Sequence, residues 1–199
     1  MTSVHPIEVE SYRILAERVD LSLFGPLAAA VVARVIHASA DVEYAETMIV
    51  EEAAVEAGVG ALAGGAPVVV DVEMVRHGMT GAHAECFLPA TAPEGTTRSA
   101  AGMALAAEHQ PHGAVVVVGC APTALDEVVR LHRAGRFFPA LVVGLPVGFV
   151  GAAEAKERLR ASGLAAISNV GEKGGSAVAA AAVNVLARLA VVRSESQHG

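Results

Sequence analysis

The strongest constraint on the fold is a repeated pattern of short apolar runs, glycine- or proline-containing turns and alanine-rich helical stretches. The apolar runs lie at 67–71, 114–118, 140–143 and 165–168, and the helical stretches lie between or after them at 98–109, 123–134, 152–162 and 175–190. Continuously apolar strands that alternate with helices are typical of a parallel sheet buried on both faces. The sequence therefore predicts an α/β fold: a mostly parallel sheet with helices on both faces.

Two helical segments precede this pattern. Residues 8–18 place Val9, Tyr12 and Leu15 at helical spacing, and an almost wholly apolar helix is expected within 21–37, after Pro26. We expect this pair to form an N-terminal helical cap. The chain has 199 residues, of which 53% are hydrophobic and 41 are alanine. This composition predicts a single closely packed domain over 1–199, with a frayed polar tail at about 194–199.

Composition also argues against several classes of partner. The formal net charge is −7 and the basic residues form no long run, so we expect no nucleic-acid partner. Cys86 and Cys120 lie outside any CxxC pattern, which favours reduced thiols in a cytoplasmic protein. The first six residues lack the features of a signal peptide, and prolines and glycines interrupt the long apolar stretch that begins at Phe137. We therefore expect a cytoplasmic chain that does not enter a membrane.

Three glycine-containing loops follow the predicted strands, at 119–125, 144–150 and 169–176. Open parallel sheets bind their ligands outside the carboxyl ends of the strands. Helix N-termini that follow such loops favour anions, so the three loops together predict a site for carboxylates. The alternative is that the glycines and prolines only satisfy turn geometry.

Common cofactor and metal motifs are absent from the sequence. Gly58-Val59-Gly60 follows an acidic helical stretch rather than a strand, so it is not a dinucleotide fingerprint. The segment 171–176 has its lysine before both of the paired glycines, so it is not a Walker A loop. His77 and His83 are the nearest approach to a metal-ligand pair, and no carboxylate accompanies them at suitable spacing. We expect neither a cofactor nor a metal ligand.

Several polar residues stand out against this apolar background. His37 ends a long apolar helix, where it either interacts with the helix dipole or acts as a general acid. Arg98 lies in the first turn of a helix that Thr96 or Thr97 caps. A cation is unfavourable there unless it binds an anion, so Arg98 is a candidate ligand residue. Lys156 and Lys173 are either solvated surface lysines or further anion ligands.

Six segments, in this order, resemble the precorrin-8X methylmutase (precorrin isomerase) family over about residues 11–190. They are 34–41 with the R-x-I/V-H-A pattern, Asp71-Val72-Glu73-Met74-Val75 with Gly78, Thr97-Arg98-Ser99-Ala100-Ala101, Gly119 with Ala121-Pro122-Thr123-Ala124-Leu125, Pro146-Val147-Gly148-Phe149-Val150 with Glu154 and Lys156, and Gly174-Gly175-Ser176 followed by 180–186. The sequence departs from the usual pattern at Cys120 (commonly Asn), Ala155 (commonly Ser) and Glu172 (often basic).

The resemblance implies an isomerase of cobalamin biosynthesis that moves a methyl group from C-11 to C-12 of precorrin-8X, or of its cobalt-containing form, to give hydrogenobyrinic acid or its cobalt equivalent. It implies that His37 is the general acid and that neither a cofactor nor a protein-bound metal takes part. It further implies a homodimer, with possible channelling to the next enzyme. The substrate-binding positions that it implies are Ser11, Thr80, Thr97, Arg98, Pro122, Thr123, Gly148, Lys156, Gly174, Gly175 and Ser176.

Two other functions remain open at this point. The chain could bind or channel a corrinoid without converting it, in which case replacing His37 would leave binding intact and remove no activity. It could also be an unrelated nucleotide-binding α/β enzyme, since this fold carries many functions. Protection by nucleotides against thermal unfolding would support that alternative.

Overall fold

The computed structural model describes residues 5–198 and has one six-stranded sheet between two layers of helices. The helices are α1 (Pro6–Arg18), α2 (Pro26–Ser39), α3 (Tyr44–Thr47), α4 (Glu52–Ala63), α5 (Glu73–Gly78), α6 (Arg98–His109), α7 (Pro122–Arg133), α8 (Ala152–Arg160) and α9 (Ser176–His198). The strands are β1 (Met48–Val50), β2 (Val68–Val70), β3 (Ala84–Cys86), β4 (Val115–Val118), β5 (Leu141–Gly144) and β6 (Ala166–Asn169).

The strand order is β1-β6-β5-β4-β2-β3, and every neighbouring pair is parallel except β1 with β6. The four predicted strands and the helices that follow them are confirmed. The short strands β1 and β3, at the two edges of the sheet, and the short helices α3 and α5 were not predicted. The predicted α/β class with a mostly parallel sheet is therefore correct.

The two faces of the sheet bury separate apolar cores. One core joins α1, α2, α4, α5 and α9 to side chains such as Val117 and Val143, and the other joins α6, α7 and α8 to side chains such as Val116 and Val142. All four residues of β4 are fully buried, as expected for a central strand covered on both faces. The strand-end loops therefore lie between two helical layers.

The two N-terminal helices pack against each other, as predicted. Helix α1 contacts α2, and both contribute side chains to the core that they share with α9. Helix α9 continues through the predicted polar tail to His198, and the hydroxyl of Ser196 donates to the carbonyl oxygen of Val192. Fraying of this tail stays a prediction. Residues 1–4, on which the expectation of no signal peptide partly rests, and residue 199 lie outside the described part of the chain.

Helix α9 is the longest helix of the described residues. Its segment Ser176–Ser196 is long and apolar enough to cross a membrane, but 67% of that window is buried within the protein. It packs against α2, α4 and α5. Burial in the core accounts for its composition, so this helix is weak evidence for a membrane span. Both cysteines, Cys86 and Cys120, are free thiols, as predicted.

Candidate active site

Most of the predicted site residues lie near one edge of the sheet, where the strands β2, β4, β5 and β6 end. We call this edge the carboxyl edge. The long helices α6, α7, α8 and α9 all begin at this edge, because each returns the chain from it. A helix N-terminus carries unpaired N–H groups and a partial positive charge. Four of them directed to one edge favour an anionic ligand despite the net negative charge of the chain.

His37 lies in the last turn of α2, close to the carboxyl edge. Its Nδ1 is 2.8 Å from the Ser11 hydroxyl, and its ring stacks on Tyr12 with centroids 5.0 Å apart and planes 7° apart. Within residues 5–198, Nε2 has no hydrogen-bond partner. The half-buried imidazole lines a recess of about 110 Å³ that also contacts Ser11 and Ile36. One ring nitrogen thus fixes the orientation while the other is available to a ligand.

The helix that carries His37 is anchored at both ends. At its N-terminus the Glu52 carboxylate accepts hydrogen bonds from the N–H groups of Leu27 and Ala28, at 2.9 Å each. At its C-terminus Ala40 adopts φ 54°, the left-handed conformation that ends many helices. Glu52 was not predicted as a site-supporting residue, because it lies on α4, about 25 residues away in sequence.

Asp71, just after β2, organises the loop that follows β4. Its side chain is buried, and its two oxygens accept hydrogen bonds from the N–H groups of Gly119 (3.1 Å), Cys120 (2.8 Å) and Ala121 (2.9 Å). Burial raises the pKa of this carboxyl, and the three backbone hydrogen bonds oppose that rise. Asp71 belongs to a segment that resembles the family, but its role in holding this loop was not predicted.

The glycine loops after β5 and β6 bind each other through their backbones. Gly148 N–H donates to the Glu172 carbonyl (3.1 Å), and Gly175 N–H donates to the Leu145 carbonyl (2.8 Å). A Cβ atom at Gly174 would lie 2.3 Å from the Leu145 oxygen, so only glycine fits there. The predicted binding positions Gly148, Gly174 and Gly175 are therefore brought together in one surface.

Lys173 connects this surface to the turn that follows the His37 helix. Its ammonium lies 2.6 Å from the Asp41 carboxylate and 2.5 Å from that of Glu43. These hydrogen bonds raise the pKa of Lys173 above its usual value and lower that of Asp41. Because Lys173 is already paired with two carboxylates, it holds the loop against α2 instead of offering a free positive charge.

Lys156 is completely buried in α8, beneath the loop that follows β6. Its Nζ donates to the Asn169 side-chain oxygen (2.9 Å) and to the Lys173 carbonyl (2.7 Å). The alternative of a solvated surface lysine is therefore wrong. The predicted direct contact with a ligand remains untested, but in this structure the ammonium faces the loop from inside.

The pKa of Lys156 gives a pH prediction. Burial, with a smaller contribution from Arg160, lowers it from 10.5 to about 8, and Glu172 acts in the opposite direction. The unfolded chain then binds more protons than the folded one between these two values, so stability should rise with pH across that window. We expect the free energy of unfolding of wild type, relative to Lys156→Met, to rise by about 3 kcal/mol from pH 7 to 10.5. Urea denaturation at several pH values measures this, and a constant difference would contradict it.

Thr97, Thr123 and Arg98 approach the carboxyl edge from the other face of the sheet. Thr97 is the N-cap of α6, and its hydroxyl lies 2.7 Å from that of Thr123 in the first turn of α7. Pro122 occupies the start of α7. Arg98 is exposed, and its Nε donates to the Pro89 carbonyl at 2.8 Å. This group and His37 therefore flank the loops from opposite sides.

The structure separates Thr80 from the other predicted binding residues. Its backbone N–H donates to Asn184 on α9 at 2.8 Å. Asn184 is eight residues beyond Ser176, or about 12 Å along the helix axis. Ser176 itself is buried at the start of α9. A contact between Thr80 and the ligand of this edge stays a prediction. The hydrogen bond from Thr80 to Asn184 was not predicted.

The three departures from the family pattern lie in different environments. Cys120 is exposed, and its backbone N–H still donates to Asp71. Ala155 is fully buried in the core under α8, where it packs as a small side chain. Glu172 is exposed, and its carbonyl accepts the bond from Gly148. None of them disrupts the backbone contacts of the loops.

A mostly parallel sheet whose strand-end loops and helix N-termini meet at one edge is typical of α/β enzymes that bind anionic ligands there. The sequence matches the family model for precorrin-8X methylmutase over residues 6–189. The chain belongs to the precorrin-8X methylmutase family, whose members are isomerases of cobalamin biosynthesis.

Individual relatives agree with this assignment. The chain is 41% identical over 160 residues to a cobalt-precorrin-8 methylmutase of Methanocaldococcus jannaschii, covering 77% of this chain and 76% of the relative. It is 44% identical over 168 residues to a precorrin-8X methylmutase of Pseudomonas aeruginosa, covering 77% and 80%. A crystal structure of precorrin-8x methyl mutase from Thermus thermophilus superposes with a TM-score of 0.85 at 40% identity, covering 94% and 97%.

Proposed function

We propose that the chain moves a methyl group from C-11 to C-12 of precorrin-8X or cobalt-precorrin-8, with His37 as the general acid. The bond from the methyl carbon to C-11 breaks and a bond to C-12 forms, so the reaction needs no oxidant or reductant. Protonation of a ring nitrogen beside the migrating centre makes the conjugated system a better acceptor. The observation that carries the proposal is the imidazole held by Ser11 and Tyr12, whose Nε2 has no hydrogen bond to residues 5–198, in a chain of this family.

The chemistry of the carboxyl edge suits a large, flat polycarboxylate. The recess at His37, about 110 Å³, is smaller than the pockets of about 300–1,000 Å³ that enclose drug-sized ligands, so it takes only one side of a tetrapyrrole. The remainder of the macrocycle would lie across the glycine loops, where Phe149 and Val150 are 95% and 89% exposed. Arg98 and the helix N-termini would bind its carboxylates.

Several finer points belong to the same proposal. The chain is 44% identical to a relative named for precorrin-8X and 41% identical to a relative named for cobalt-precorrin-8. Sequence identity alone therefore does not choose between the two substrates. We propose a homodimer in which the partner completes the open side of the site. Delivery of the product to the next pathway enzyme, a cytoplasmic location, and catalysis without a cofactor or a protein-bound metal remain predictions.

The methyl shift changes the conjugation of the pigment, so absorbance spectroscopy tests the proposal. We expect purified protein to convert the spectrum of precorrin-8X to that of hydrogenobyrinic acid with multiple turnovers. Binding without conversion, with either form of the substrate, would instead support a corrinoid carrier. If there is no spectral change and nucleotides protect against thermal unfolding, the nucleotide-binding alternative is favoured.

A further inference from the structure

The buried Lys156 is the most unusual polar group in the protein. The chain has only two lysines, and one of them is fully buried in α8. Lysine is almost never fully buried unless it is paired, because desolvation of the ammonium is costly. Its described hydrogen-bond acceptors are neutral, namely the Asn169 side chain and the Lys173 carbonyl. The desolvation cost of burying this ammonium therefore needs an explanation in its local contacts.

The hydrogen bonds of Lys156 converge on a single peptide unit. The Lys173 carbonyl accepts from Lys156 Nζ at 2.7 Å and from Asn169 Nδ2 at 2.9 Å. Lys156 and Asn169 are themselves bonded at 2.9 Å, which closes a triangle under the loop. Arg160 fixes the base of this triangle, because its guanidinium donates to the Asn169 carbonyl at 3.0 Å.

This triangle fixes the direction of the next N–H group. In a planar trans peptide the C=O and N–H bonds point in opposite directions. Since the Lys173 carbonyl points inward to Lys156, the Gly174 N–H points away from the protein interior. It has no hydrogen-bond acceptor within residues 5–198, whereas the Gly175 N–H is already bonded to the Leu145 carbonyl. Gly174 N–H is therefore a donor of this loop that is available to a ligand.

We propose that Lys156 is a positioning residue, which orients the Lys173–Gly174 peptide so that Gly174 N–H binds a carboxylate of the substrate. This inference rests on the proposed function for the identity of the ligand. Lys156 acts through the peptide and does not touch the substrate. It therefore affects substrate affinity, while His37 affects the chemical step.

The test compares Lys156→Met, which removes the ammonium but keeps the chain length, with Arg158→Met as a control. Arg158 lies on the same helix in an exposed ion pair with Asp126. In free Lys156→Met, we expect faster hydrogen exchange in the peptide covering 170–176. With precorrin-8X we expect KM to rise about tenfold and kcat to change less than about threefold. Arg158→Met should match wild type in both measurements.

A general loss of folding would lower kcat through the active fraction without this selective rise in KM. If Lys156→Met does not fold, Asn169→Ser tests the same triangle, because it removes one donor to the Lys173 carbonyl and should give smaller changes in the same directions. Exchange equal to that of the control, or faster exchange with KM unchanged, would overturn the proposal. Hydrogen exchange needs no substrate, so failure of the proposed function would be seen separately, as an inactive wild type.

Discussion

Replacing His37 with glutamine is expected to lower kcat by at least about 100-fold, the lower end of what a positioned general acid contributes. Glutamine can still bond to Ser11 but cannot protonate the substrate at neutral pH. Binding of precorrin-8X should survive, because His37 is one contact among many across the loops. Stability should fall by about 1 kcal/mol or less, mostly from the lost stacking on Tyr12. Turnover assays and spectral titration measure these effects.

The chain offers a matched control for this change. His109 also lies in the last turn of a helix and stacks on an aromatic ring, Phe87, with centroids 5.2 Å apart. His109→Gln should therefore leave turnover unchanged. Near-normal activity of His37→Gln would contradict the acid role.

Asp71→Ala is expected to lower the free energy of unfolding by about 3 kcal/mol, the second large effect. The substitution leaves the N–H groups of Gly119, Cys120 and Ala121 without their acceptor, and an unsatisfied buried donor costs about 1–3 kcal/mol. Burial of the carboxylate itself carries a desolvation cost, which raises the pKa of Asp71. The net loss is therefore smaller than the sum over three bonds. Chemical denaturation measures it.

Glu73→Gln is the control for Asp71, since Glu73 is an exposed acid two residues further on, paired with Arg76. Its effect should stay within about 0.5 kcal/mol. Asp71→Asn should lose less than alanine, because its amide oxygen can still accept from Cys120 and Ala121 while its NH2 group faces only the Gly119 N–H. A loss below about 1 kcal/mol in both Asp71 variants would show that the loop does not depend on this carboxylate.

The central strands were predictable because they are buried on both faces. β4 is four consecutive valines, all fully buried, so composition alone identifies it. The edge strands are only three residues long, and β3, Ala84-Glu85-Cys86, contains no β-branched residue. β1 was not predicted because it too is only three residues long. Its antiparallel pairing with β6 is a tertiary contact, which no local sequence pattern predicts.

The candidate site was predictable where residues lie in local motifs and not where distant residues pair. His37, Thr97 and the glycine loops follow from helix ends and strand ends. Asp71 is about 50 residues away in sequence from the N–H groups that donate to it. Asn184 is about 100 residues away in sequence from Thr80. The burial of Lys156 did have a signal: its spacing from Ala152 and Leu159 puts it on the buried face of α8.

Methyl migration from C-11 to C-12 can be followed by ¹³C NMR of precorrin-8X labelled at the migrating methyl carbon. We predict that wild-type protein removes the signal of the methyl group on C-11 and produces one equivalent on C-12, with no label lost to other molecules. His37→Gln should leave the C-11 signal in place under the same conditions. A labelled methyl group that stays on C-11 in the presence of folded wild type, or that leaves the macrocycle, would contradict this migration.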